Sequence, residues 1–344
     1  WGNTGAMVMG HYADGAAKLR LWRLARQYTL CDNFFMGAFG GSFLNHHYLA
    51  AAQPPFYPQA DRSPAKFQIA VVEGDDPTGI RPKLAEDSPA SAMQGRAKFA
   101  ARDALTPDFW AVNTMGPAYA PAFGHDKRDP RFADPDSPNT LPAQTHRTIG
   151  DALSDAGVDW AWYAGGWQLA LDGHGDGDHR AFPEVPNFQV HHQPFNYFRQ
   201  FAPGTPARRR HLRDAGIGGS AGSNRFLAAA AAGTLPPVAF YKPQGDLNMH
   251  AGYSSVDAGD RHLAQVVEAL QASPLWPNML VVITVDENGG WWDHVAPPKG
   301  DRWGPGTRVP ALVVSPFAKR GHVDHTIYDT GSILRFITRR FGLQ

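Results

Sequence analysis

From Met279 to Val285 every residue is apolar or β-branched, without the polar alternation of a half-exposed strand. Such a run predicts a parallel strand covered on both faces. It stops at Asp286-Glu287, and Gly289-Gly290 then lets the chain turn sharply. Both carboxylates are thus expected at the carboxyl end of a strand, where open α/β sheets bind their ligands. Elsewhere the period changes. Over 16–28, Leu19, Trp22, Leu24 and Ala25 form a helical stripe between Lys18, Arg20, Arg23 and Arg26. An extended piece, Thr29 to Phe35, follows, and then a helix over 43–52 with Ser42 at or near its N-terminus. Further helices are predicted over 148–156, 224–232, 260–272 and 330–341, and strands over 159–163, 238–241 and 310–315. Strand and helix alternating at this spacing predict an α/β fold: a doubly wound, mainly parallel sheet with helices on both faces.

Residues from about 53 to 147 break this rhythm. They are rich in Pro, Asp, Gly and Asn and too long for an ordinary loop, so they read as an insertion covering one edge of the sheet. The 344 residues are otherwise expected to form one large domain. The 32 basic and 32 acidic residues cancel, which excludes the electrostatic footprint of a nucleic-acid binder, and Arg208-Arg209-Arg210 reads as a solvated loop face. The single cysteine, Cys31, excludes an intramolecular disulfide and reads as a small buried filler. No run is long and apolar enough to span a membrane, and Trp1 opens neither a signal peptide nor a recognisable start.

Ser42 follows Gly40-Gly41, so its hydroxyl can lie beside the free backbone N–H groups of a helix start, a ready site for a phosphoryl oxygen. It could be a nucleophile or simply the cap of the helix. In extended chain His191 and His192 would face opposite ways, so one of them, His192 in preference, is expected to enter a site. His250 follows the strand over 238–241 at its carboxyl end, the correct edge of the sheet. Asp293 and His294 could support a site or belong to a plain turn, and the Asp-Gly-His alternation over 172–179 resembles a calcium loop without its full ligand spacing.

Four segments, Tyr28 to Phe35, Gly37 to His46, His191 to Phe195 and Asp286 to His294, together resemble the bacterial acid phosphatase and phospholipase C family of the alkaline-phosphatase-like superfamily. Gly-Gly-Ser-Phe-Leu-Asn-His is more similar to the acid phosphatase branch, since phospholipases tend to carry Thr where Ser42 stands. The resemblance implies an alkaline-phosphatase-like fold with long insertions. In it Ser42 would be nucleophile and metal ligand, Asp286 and Glu287 would bind the same metal, and His192 and His250 would contact the phosphoryl group. His46, His191, Asp293 and His294 are further candidates for substrate contact. Hard oxygen ligands suit one divalent ion: calcium, magnesium or manganese. Family members also carry an earlier strand ending in a Glu-Asn-Arg-Ser-Phe-like motif that completes the metal site. The motif is not in this sequence, so a further N-terminal segment of the same protein is expected to complete the site. Asn288 stands where many phospholipases have His.

The expected activity is hydrolysis of a small phosphomonoester through a phosphoserine on Ser42. A phospholipase C-type phosphodiesterase, with Trp291, Trp292 and Phe195 as an apolar mouth, is one alternative. A catalytically silent phospho-ligand-binding protein is another. Periplasmic or secreted location is what the resemblance implies.

Overall fold

The computed structural model describes residues 18–74, 81–91, 93–173, 187–291 and 293–344. The chain opens with α1 (Arg20–Gln27), β1 (Thr29–Cys31), β2 (Phe34–Phe35) and α2 (Ser42–Ala51). The insertion carries the hairpin β3 (Val72–Glu73) and β4 (Arg81–Pro82), single-turn helices and isolated bridges. Then come α3 (Ile149–Asp155), β5 (Trp160–Gly165), α4 (Trp167–Leu171), α5 (Pro206–His211), β6 (Leu212–Gly216), α6 (Arg225–Ala231) and β7 (Val238–Lys242). The last part holds α7 (Val256–Gln271), β8 (Val281–Thr284), β9 (Ala311–Val314), β10 (His322–Asp324), β11 (Tyr328–Asp329) and α8 (Thr330–Phe341).

Local chemistry sets several boundaries. Thr148 caps α3 reciprocally with Asp151, and Gly157 closes the turn beyond it in the left-handed region at φ 70°. Asp329 and Ser332 form the same box at the start of α8, and Arg339 and Arg340 lie in its last turn, where the helix dipole favours cations.

The fold is α/β, with the strands in two main groups. β6, β5 and β7 form a parallel three-stranded sheet in that order. β10, β1, β9 and β8 form a four-stranded sheet in which β9 runs antiparallel to both neighbours. β5 is buried along its whole length and feeds both faces of its sheet. Trp160, Trp162 and Ala164 join the largest core cluster with Phe195, Phe198 and Phe201. Ala161 and Tyr163 join Phe226, Leu227, Val266 and Leu270 from α6 and α7. The period-two geometry of a strand produces this division.

Two expectations are corrected. β8 is neither parallel to its neighbour nor covered on both faces: among the described residues it pairs only with β9, antiparallel and at the end of its sheet, and Val282 is 36% exposed. β7 also ends its sheet, so among the described residues these two strands each keep an unpaired edge, yet their carboxyl ends meet where Lys242 bonds Asp286 at 3.2 Å. The arginine run is not uniformly solvated either. Arg209 and Arg210 are exposed, whereas Arg208 turns inward to the carbonyls of Phe201 and Ala120 at 3.0 and 2.9 Å and stacks on Trp167. The pattern of charge could not show this, because a guanidinium goes inside wherever carbonyls and an aromatic face receive it.

Candidate active site

The site lies where the start of α2 meets the carboxyl ends of β7 and β8. Residues 37–41 are braced from within. Asn45, 1% exposed, accepts from Ala38 N at 3.0 Å and donates to the carbonyls of Ala38 and Gly40. A Cβ on Gly40 would stand 2.8 Å from Leu44 Cδ2, so a larger residue there would make the Leu44 side chain shift. Gly37 N is tied to Thr330 Oγ1 at 3.0 Å, which anchors the loop to α8.

Ser42 is the first residue of α2, and the cap position is Gly41. The hydroxyl therefore makes no capping bond; it donates to Glu287 Oε1 at 3.1 Å. Glu287 is aimed by the turn that follows it, in which Gly289 N donates to Oε2 at 2.6 Å and Gly289 and Gly290 take φ of 62° and 84°. Burial and the adjacent Asp286 raise the Glu287 carboxyl above its ordinary range. For Asp286, burial acts upward but Lys242 and His46 outweigh it and hold the carboxyl far below the usual carboxylate range.

His46, one turn into α2, has Nδ1 2.7 Å from Ser42 O. A carbonyl only accepts, so Nδ1 carries the proton, and the same nitrogen lies 3.4 Å from Asp286 Oδ2. Burial lowers the His46 pKa to about 4. The rings of His191 and His192 lie 5.4 and 6.0 Å from that of His46. Both histidines thus enter the site, against the expectation of one. Residues 190–192 form a single 3-10 turn, which removes the strict alternation of extended chain. His192 Nδ1 accepts from Gln189 N at 3.5 Å, which leaves its proton on Nε2. Neither ring nitrogen of His191 has a hydrogen-bond partner among the described residues. Burial keeps both histidines well below the ordinary imidazole pKa, so they offer neutral N–H groups rather than charges. His250 stacks on Tyr253 with centroids 4.5 Å apart and donates from Nδ1 to Ala251 O at 2.7 Å.

Other candidates lie apart from this group. Asp293 pairs with Arg308 at 3.2 Å, and His294 is exposed. Phe195 is fully buried against Trp160, so it forms core rather than a mouth. Trp292 and residues 174–179 of the calcium-like stretch lie outside the described residues. Sequence reasoning missed Lys242, the cation of the site, although it ends a strand just as Asp286 follows one, and the positional rule that selected Asp286 and His250 would have selected it.

Asp286, Glu287 and Ser42 give an all-oxygen donor set with an excess of negative charge, and Asp286 Oδ2 is buried without a hydrogen-bond partner among the described residues. In kind, this fits a hard divalent cation. In number it is one side of a site, and no group of three or more His, Cys, Asp or Glu with metal-holding geometry occurs among the described residues.

The sequence profile of the Phosphoesterase family matches residues 1–344. The non-hemolytic phospholipase C of Burkholderia pseudomallei is 31% identical over 226 residues, covering 57% of this chain and 32% of that protein. Phospholipase C B of Mycobacterium tuberculosis is 28% identical over 234 residues, 60% of this chain and 41% of the relative. This chain therefore spans well under half the length of these relatives. A solved protein of the alkaline phosphatase superfamily from Vibrio parahaemolyticus aligns with 98% of this chain and 64% of its own, at 12% identity and a TM-score of 0.43.

Proposed function

The chain belongs to the Phosphoesterase family, and we propose that it hydrolyses small phosphomonoesters, with Ser42 carrying the phosphoryl group between two in-line displacements. The observation that carries this reading is the Ser42 hydroxyl, which is not spent on capping α2 but held by Glu287 at 3.1 Å amid half-buried carboxylates and buried histidines. In the first step Ser42 Oγ bonds to phosphorus, its proton passes to Glu287 Oε1, and the bond to the leaving oxygen breaks. The 3.1 Å contact places Glu287 Oε1 to receive it. His250, with Nδ1 tied to Ala251, delivers a proton from Nε2 to the leaving oxygen. Water then attacks the phosphorus of the phosphoserine and the bond from phosphorus to Ser42 Oγ breaks; His250 takes the water's proton and Glu287 returns one to Ser42 Oγ. His192 Nε2–H and His191 donate to the phosphoryl oxygens, since phosphoryl transfer asks mainly for positioning and charge stabilisation. Ser42, Asp286 and Glu287 would hold a divalent ion such as calcium, magnesium or manganese, whose chemistry there is neutralisation of developing negative charge.

A phosphodiesterase reading is favoured by the phospholipase C names of the relatives and by Phe39, which is 69% exposed three residues before Ser42. Among the described residues β7 and β8 each keep an unpaired edge, and we infer that a further strand seated against these edges brings more donors to Asp286 and Glu287. Export to the periplasm or beyond is proposed on family likeness alone.

Turnover of p-nitrophenyl phosphate against a choline phosphodiester separates the two esterase readings, and turnover of neither leaves a phospho-ligand binder. Acid quenching during turnover should trap phosphate on Ser42. If Ser42→Ala keeps more than about a hundredth of the activity, the nucleophile is misassigned.

A further inference from the structure

Lys242 is the last residue of β7, with its side chain 14% exposed and its ammonium 3.2 Å from Asp286 Oδ1. It reaches across from the parallel sheet to the carboxylate that follows β8 in the other sheet, between strands that share no backbone bond. Its contact uses one carboxylate oxygen only. The other, Oδ2, stays buried without a hydrogen-bond partner among the described residues, 3.4 Å from His46 Nδ1 and on the side of Ser42. Asp286 and Glu287 are adjacent and both partly withdrawn from water, a place from which an anion would be repelled. Arg308 is committed to Asp293 at 3.2 Å.

We propose that Lys242 is a positioning residue for the reaction at Ser42: it takes Asp286 Oδ1, leaves Oδ2 as the open acceptor of the site, and offsets one of two adjacent carboxylates so that an anionic phosphoryl group can approach the hydroxyl. With Oδ1 engaged, Asp286 has a single oxygen to present to a metal. This inference rests on the hydrolase reading for its kinetic consequences but not for its consequence for anion binding.

The experiment compares wild type with Lys242→Met, Lys242→Arg and Lys242→Ala. Calorimetric titration with inorganic phosphate should show binding weakened about tenfold or more in Lys242→Met and largely kept in Lys242→Arg. In a turning-over enzyme, kcat/KM should fall about a hundredfold in Lys242→Met, the scale for removing one preorganised charge contact. Saturable rescue of Lys242→Ala by ethylammonium is expected, which a merely structural role would not yield. Unchanged phosphate affinity and kcat/KM in folded Lys242→Met overturns the proposal. If Lys242→Met fails to fold, failure of both Lys242→Arg and amine rescue overturns it instead. A wild type that binds phosphate through Lys242 but hydrolyses neither ester refutes the hydrolase reading and leaves this inference standing. A wild type that binds no phosphate refutes both.

Discussion

His47, beside His46 on α2, is fully buried between Phe43 and Tyr197, with ring centroids 4.9 and 4.7 Å away, and neither of its nitrogens has a hydrogen-bond partner among the described residues. Burial, reinforced by His146 and His46, keeps its pKa well below the ordinary 6.5. As pH falls through that ordinary value, the unfolded chain takes up a proton that folded His47 refuses, so stability is lost on the acid side. Replacing it by Phe keeps the aromatic contacts and removes the titration. Phe is larger, and the overpacking costs about 1–3 kcal/mol, but that cost does not depend on pH. The pH-dependent part follows from the unfolded state alone. At about pH 5.5 the proton stabilises the unfolded wild type by about 1.4 kcal/mol, against about 0.1 kcal/mol at about pH 7.5. The difference in unfolding free energy between His47→Phe and wild type should therefore shift in favour of the variant by about 1.3 kcal/mol between these conditions. Urea unfolding of both proteins at the two pH values, followed by tryptophan fluorescence, measures it. The same difference at both pH values would show that folded His47 binds a proton as readily as the unfolded chain, and would refute the reasoning. His46, His191 and His192 are buried and held neutral in the same way. These four sites together should cost the wild type about 5 kcal/mol over the same interval, about 1.3 kcal/mol each.

Three further outcomes are expected. A Cβ on Gly150 would stand 2.2 Å from Trp160 Cζ2, so Gly150→Ala should cost about 1–3 kcal/mol in urea unfolding, and an unchanged midpoint would show that α3 can slide off the core. Asp260, 1% exposed on α7, accepts from Arg20 N at 2.9 Å and Leu21 N at 2.8 Å. Asp260→Ala should cost about 2–3 kcal/mol by stripping the first turn of α1 of its acceptor, and faster amide exchange confined to α1 would locate the loss. At the site, His192→Phe should lower kcat/KM about a hundredfold, whereas exposed His294→Ala should stay within about twofold; equal effects would contradict the grouping around His46.

Much of this architecture was legible before any coordinates. The helix over 330–341 was readable to the residue because Asp329 and Gly342 bracket an apolar stripe, and Thr148 marked α3 for the same reason. Caps and periodicity are local, so the sequence carries them directly. Asp286, Glu287 and His250 could be assigned to one edge of a sheet because a strand followed by a turn delivers side chains to its carboxyl end wherever the strand lies. Other features depended on partners distant in the chain. The local residues of Ser42 suit a cap and a nucleophile equally, and only the approach of Glu287, 245 positions away, shows the hydroxyl turned from the helix toward a carboxylate. The entry of both His191 and His192 required a 3-10 turn that no periodicity announces. β6 went unread beneath its arginine and aspartate, since a strand's place beside β5 rather than its composition stabilises it. The apolar run of β8 promised burial on both faces, but burial is a property of neighbours, and the face that carries Val282 stays 36% exposed. Lys242 became a site residue by the same logic: its charge was evident in the sequence, and its meaning came from standing 3.2 Å from a carboxylate on another sheet.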